Sequence, residues 1–225
     1  MLCDTYALSD SEKVYYMRFI NYNRLSLDCI LVYQNSNTFK PILYTKDPEG
    51  YFRKAGGYVI NSGLGGFYLN VLPDGKLVYI NTDEDVHDEN IGSFYTIHII
   101  TKDGIEYKKI TQQFIPIQYP ESYIERIKKI NEESAKMLKK RKYYSSVYAM
   151  YFDGFYAFNY FYIRKGTEVS IVDVFDLKKG KYIKTVIFPE VFAYIKNGYA
   201  YSRAYDKDGF REIRKYKINP SVYGK

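Results

Sequence analysis

Three short turn signals constrain this chain more than anything else in it. Asp74-Gly75, Asp153-Gly154 and Asn197-Gly198 each stand between two strand-like runs. An Asn-Gly or Asp-Gly pair in that setting is the strongest short-range mark of a β-hairpin, because both residue types accept the left-handed backbone a tight hairpin needs. A second series ends at Gly50, Gly104 and Gly180 inside Lys/Asp-rich turns, 45–50, 101–104 and 177–180. Two interleaved hairpin series predict a repeated four-stranded antiparallel unit, the blade of a β-propeller.

The spacing supports the repeat. Gly154 and Gly198 lie 44 residues apart, close to the roughly 40–50 of a propeller blade. Gly104 to Gly180 is 76 and Gly75 to Gly154 is 79, and both intervals span 114–146. That stretch reads as an inserted helix, and removing about 30 residues restores a single blade. The all-β reading therefore has about four four-stranded antiparallel blades, at 13–56, 67–112, 147–189 and 190–219, with one helical insertion at 119–143, in a single domain over 1–225. The last blade lacks its outer strand, and the polar residues 1–12 are a poor candidate to supply it, which leaves an unusual four-bladed ring or the C-terminal part of a larger propeller.

Strand character is strongest in Phe155-Tyr156-Ala157-Phe158-Asn159-Tyr160-Phe161-Tyr162, where both alternating faces are aromatic or apolar. A strand with one wet face would alternate apolar and polar, so this one is predicted to be sandwiched. The chain's 28 Tyr and 14 Phe fit pleated, packed surfaces. The insertion opens at Pro120 with a capping-box pattern, Ser122-Tyr123-Ile124-Glu125, and carries one stripe of Tyr123, Ile127, Ile130, Ser134, Met137 and Leu138 at helical spacing.

Composition excludes more than it assigns. No apolar run reaches the ~20 residues a membrane-spanning helix needs, and the start, Met1-Leu2-Cys3-Asp4-Thr5, lacks the basic and apolar regions of a signal peptide. Cys3 and Cys29 are too few for a disulfide framework, and Cys29 reads as a small apolar side chain in a strand. The net charge is +7, of which residues 121–142 carry +4. A lysine-rich helix is chiefly a solvated face, so no nucleic-acid partner is expected.

The stretch 98–217 resembles the six-bladed β-propeller family of Bacteroidetes-type bacteria, akin to NHL and TolB-like propellers. The order of its motifs carries the resemblance: Ile99–Gly104, Ile115-Pro116-Ile117 before a charged helix, Tyr151–Gly154, Val172–Asp176, Phe188-Pro189, Tyr194–Tyr199 and Arg214–Ile218. Members of that family usually run longer and begin with an export or lipoprotein signal. The resemblance therefore implies an N-terminally truncated copy of the C-terminal part of such a propeller, and an extracytoplasmic place, periplasmic or at the cell surface.

Up-and-down connectivity puts the Asp-Gly and Lys-Asp-Gly turns at one end of the blades. The long connections, 35–39, 57–66, 82–93, the insertion, 164–168 and 206–209, fall at the other. Long irregular loops on a rigid scaffold mark a binding face. The candidate ligand-binding residues there are Asp83, Asp85, His87, Asp88, Arg164, Lys165 and Asp206. Alternate oxygen ligands suit a hard cation, so the 83–90 loop is the one place for Ca²⁺, yet it lacks the spacing of an EF-hand and no cofactor is expected. Gly63-Leu64-Gly65-Gly66 precedes no helical pattern, so it is no phosphate cradle. His87 and His98 are the only histidines, His98 sits mid-strand as packing, and no Gly-x-Ser-x-Gly elbow exists. The expectation is a non-enzymatic module that binds a protein or glycan through its long-loop face. A metal-assisted hydrolase or lyase at the channel mouth, and a structural protein or homodimer paired through open sheet edges, are the alternatives.

Overall fold

A computed structural model describes residues 4–9, 14–23, 26–35, 38–47, 54–55, 58–59, 67–101, 104–161, 169–188 and 194–225, with side chains from 68 onward except those at 83 and 133. The first sheet takes β1 (Asp4–Ser9), β2 (Val14–Asn23), β3 (Ser26–Asn35) and β4 (Thr38–Asp47) in sequential order. β5 (Lys54–Ala55) and β6 (Tyr58–Val59) form a small ribbon. The next sheet has β7 (Phe67–Val71), β8 (Leu77–Asn81), β9 (Val86–Asp88), β10 (Gly92–Ile100) and β11 (Glu106–Phe114), with β9 added onto β10. Two helices, α1 (Glu121–Ile130) and α2 (Glu132–Arg141), precede a sequential sheet of β12 (Ala149–Asp153), β13 (Tyr156–Tyr160), β14 (Ser170–Asp176) and β15 (Lys181–Phe188). A three-stranded sheet, β16 (Tyr194–Lys196), β17 (Tyr199–Tyr205) and β18 (Arg211–Lys217), ends in a 3₁₀ turn at Pro220–Tyr223. The fold is all-β in character, built on four-stranded antiparallel meanders.

The three Asp/Asn-Gly pairs are hairpins. Asn197 and Gly198 both take positive φ, 54° and 74°, between the paired Lys196 and Tyr199, the backbone of a type I′ turn. Gly154 opens the two-residue loop between Asp153 and Tyr156 at φ 60°. The β7–β8 turn is longer, and the Asp74 carboxylate accepts the Lys76 amide to hold it. Gly104 and Gly180 are left-handed in the β10–β11 and β14–β15 turns, while Gly50 lies outside the described residues.

The polar start also folds: Asp4–Ser9 is a full strand paired with β2 from Asp4↔Phe19 to Ser9↔Val14. Its six residues, Asp-Thr-Tyr-Ala-Leu-Ser, are too polar to announce themselves, and their cross-strand partners decide the matter. Among the described residues the first sheet runs from Asp4 to Asp47.

The insertion is two helices rather than one. Asn131 has an extended backbone (φ −156°, ψ 110°), and its amide still reaches the Ile127 carbonyl. Its side chain accepts the Ser134 amide, so it ends α1 and caps α2. Ser122 is no cap. α1 starts after Pro120 with no side-chain cap at all. The break also ends the single stripe: Ser134, Met137 and Leu138 are buried, whereas Ile130, at the last turn of α1, is 72% exposed. The flanks close on each other, Tyr119 N–H on the Lys142 carbonyl and Tyr144 N–H on the Ile117 carbonyl, so the insertion leaves and returns at one place.

The chain divides into two compact units. One comprises Met1–Glu84 and Thr96–Lys109, the other Asp85–Tyr95 and Ile110–Lys225. In the first, Leu77, Val78, Tyr79 and Ile80 of β8 are all buried, as are Ile97–Ile100 of β10. In the second, the sheet β12–β15 lays Phe158, Tyr160, Val172, Val174 and Phe188 against Ile195, Ala200 and Ile218 of and beside the three-stranded sheet. The Asp153 carboxylate ties these two sheets, accepting the Asn197 and Gly198 amides at 2.7 Å each and the Tyr223 hydroxyl at 2.8 Å. One hairpin turn thus grips the turn 44 residues ahead of it, a physical basis for the repeat spacing.

Candidate functional site

The connection 82–93 holds four of the seven sequence-derived candidates, and of them Asp85, His87 and Asp88 fall in the second unit. Asp85 turns inward: its carboxylate accepts the Ser146 amide at 2.7 Å and the Ser146 hydroxyl at 2.8 Å, pinning this loop to the chain that leaves the insertion. His87 sits on β9, directly across from Ser93 on β10, and its Nδ1 lies 3.1 Å from the Ser93 Oγ. Its ring stacks on Tyr143 at 4.8 Å and meets the edge of Phe114 at 5.6 Å. Burial pushes the imidazole pKa down, which keeps it neutral at physiological pH. The face so formed is aromatic, uncharged and held from three elements.

Asp88 and Asp206 do a different job. The Asp88 carboxylate accepts the Asn90 and Ile91 amides and shapes the turn into β10. Asp206 accepts the Asp208 and Phe210 amides in the β17–β18 turn. Both are Asx turns, in which a short carboxylate satisfies backbone donors that a tight turn leaves open. Asp83 lies in the 3₁₀ turn Thr82–Glu84, and its side chain is outside the described ones. Arg164, Lys165 and Gly63–Gly66 lie outside the described residues, as does Cys3. Asp85 and His87 are brought together on one loop and share the flank of the insertion, while Asp206 belongs to the turn of another sheet. Among the described residues, no group of three or more His, Cys, Asp or Glu side chains is placed to hold a metal ion.

His98 packs as its sequence context suggests, and does more. It stacks on its cross-strand neighbour Tyr79, centroids 4.6 Å apart and nearly parallel. Its Nε2 lies 3.0 Å from a Glu84 carboxylate oxygen, and its Nδ1 faces Glu106 at 3.7 Å. The hydrogen bond with His98 holds the Glu84 carboxyl below its ordinary value, and burial pushes the Tyr79 phenol up to about 12.

Sequence reasoning missed the most deeply buried polar group. Asn159 and Asp173 are register partners on β13 and β14. Tyr95 donates to the Asp173 carboxylate at 3.2 Å, Thr185 donates to it at 2.6 Å, and the Asn159 amide donates to the Tyr95 oxygen at 3.4 Å. Tyr95 is sealed by the ring edges of Phe114, Phe161 and Phe175. Burial raises the Asp173 carboxyl and drives the Tyr95 phenol far above its usual range. The available signal was one polar residue in each of two otherwise apolar strands, Asn159 in an aromatic run and Asp173 between valines.

Comparison of the chain with protein-family models, with curated proteins and with solved structures gave no match. The site has to be read from its own chemistry.

Proposed function

We propose that the chain is a non-enzymatic binding module of β-propeller design, akin to six-bladed NHL and TolB-like propellers, which recognises a protein or glycan through its long-loop end. The observation that carries this reading is the cluster of His87, Tyr143 and Phe114, a neutral imidazole stacked on one aromatic ring and met by the edge of another on the connection 82–93 and its neighbours. Such a face offers flat apolar area with polar tips, the makeup of recognition surfaces rather than of a proton-transfer site. The carboxylates that metal-assisted chemistry would draw on point the same way. Asp85 accepts the Ser146 amide on one oxygen and the Ser146 hydroxyl on the other, and Asp88 and Asp206 each commit one carboxylate oxygen to two backbone amides. Ser93, beside His87, is buried.

The propeller part of the proposal is supported by successive antiparallel meanders, by face-to-face packing of neighbouring sheets in the second unit, and by the Asp153 grip across one repeat. Asp83, Arg164 and Lys165 stay in the proposal as candidate ligand residues on sequence grounds alone, and an extracytoplasmic place remains part of it through the family resemblance.

The test is binding of the purified chain to arrayed glycans and a displayed peptide library. His87→Ala and Tyr143→Ala should each weaken the ligand found by about tenfold, the loss expected of an aromatic hot spot. Lys178→Ala, in the short β14–β15 turn at the opposite end of its sheet, should leave binding unchanged. Failure to find any ligand, or equal loss with Lys178→Ala, would sink the proposal.

A further inference from the structure

The three-stranded sheet presents two very different faces. Ile195, Ala200 and Ser202 point into the packing against β12–β15 and are buried. Alternation places Tyr194, Tyr201 and Lys215 in one row on the opposite face, and Lys196, Tyr199 and Lys217 in the next. Two further rows pair Arg203 with Ile213 and Tyr205 with Arg211. Every row combines a cation with an aromatic or apolar side chain, and no carboxylate stands among them. Ile213 is 76% exposed and Tyr205 64%. Lys215 Nζ lies 4.0 Å above the Tyr199 ring, so the basic stems are spread over aromatic surface.

Among the described residues, the edge of this sheet is open as well. β18 pairs with β17 on one side, and no described strand pairs with it on the other, whereas the sheets β1–β4 and β12–β15 carry a fourth strand there. The last residues of the chain are engaged elsewhere. Tyr223 donates to Asp153 and packs edge-on against Tyr156 and Phe158, so the 3₁₀ turn lies on the neighbouring sheet and not along β18.

We infer that β18 accepts a fourth strand from a partner protein, an extended segment with carboxylates at alternate positions. The inference is independent of the loop-end surface proposed above. Strand addition supplies main-chain hydrogen bonds along the edge, and alternate side chains supply the specificity. An antiparallel strand would set acidic residues opposite Lys217, Lys215 and Arg211, with an apolar residue opposite Ile213. Charge decides the occupant. A second copy of β18 would place cation against cation, and like charges directly across a ladder destabilise it. Cations on an edge are a common guard against self-pairing, and here the same guard selects an anionic strand.

The probe is a fluorescein-labelled peptide, Glu-Thr-Glu-Thr-Val-Thr-Glu, titrated with the whole chain and read by anisotropy. It should bind, and about tenfold more weakly to Lys215→Glu with Lys217→Glu, as expected for opposed charge pairs. The deciding control leaves the protein untouched: the same peptide with alternate amides N-methylated keeps its charge and loses its ladder donors. Binding that drops about tenfold on methylation supports strand addition. Equal binding of the methylated peptide would mean charge adsorption alone and would overturn the inference. So would tighter binding of an oligothymidylate than of the peptide, or a chain dimer in light scattering that Lys215→Glu disrupts.

Discussion

Asp173 shows how far one residue departs from the pattern around it. It is a carboxyl 3% exposed, set among valines and aromatics, that accepts from two hydroxyl donors, Tyr95 and Thr185. Burial raises its pKa, and Thr185 and Tyr95 pull it back only in part. The native state therefore holds this proton more tightly than the unfolded chain does. Its contribution to stability is fully present below the unfolded carboxyl value, about 3.9, and is lost as pH rises through the raised native value. Asp173→Asn removes that dependence. In paired thermal melts, wild type should gain on the variant as pH falls from about 7 toward the unfolded carboxyl value; parallel curves would mean that Asp173 titrates alike in both states. Tyr95→Phe takes one donor from Asp173 and the acceptor from Asn159, which should cost on the order of 1–3 kcal/mol by urea unfolding.

At the scale of elements, hairpins were legible and breaks were not. Asp74-Gly75, Asp153-Gly154 and Asn197-Gly198 declare themselves because positive φ is a demand that few residue types meet, so chemistry at one position reports the backbone there. The sandwiched strand predicted within 155–162 falls on β13, where Ala157, Phe158, Asn159 and Tyr160 are all buried. β1 and β9 left no such mark. They are short and polar, and they exist because β2 and β10 offer them an edge, which is information held elsewhere in the chain. The helix break hides for another reason: Asn131 interrupts a run whose spacing is helical on both sides, and only its cap geometry reveals two axes. Of the candidate site, the acidic loop was visible, but the partners that define it, Ser146, Tyr143 and Phe114, sit on other elements. Asn131→Ala should cost about 1 kcal/mol through the lost cap, and so lower the melting temperature by roughly 2–4 °C for a chain of this size. No change would mean that α1 and α2 fuse once the asparagine is gone.

At the scale of the molecule, the packing of sheet β12–β15 on the three-stranded sheet in the second unit makes where a side chain points matter more than what it is. Ile195 and Ile213 make the comparison directly. Both are isoleucines of the three-stranded sheet, one sealed against Phe158, Val172 and Val174, the other 76% exposed on the basic face. Ile195→Ala opens a cavity between two sheets that the Asp153 contacts already hold together, and should cost about 2–5 kcal/mol. Ile213→Ala removes the same atoms from water-exposed surface and should stay within about 0.5 kcal/mol. Urea unfolding of the two variants reads the difference. If their midpoints moved alike, the two faces would be equivalent in solution, and the stacked-sheet arrangement of this unit would have to be abandoned along with the open cationic face beside it.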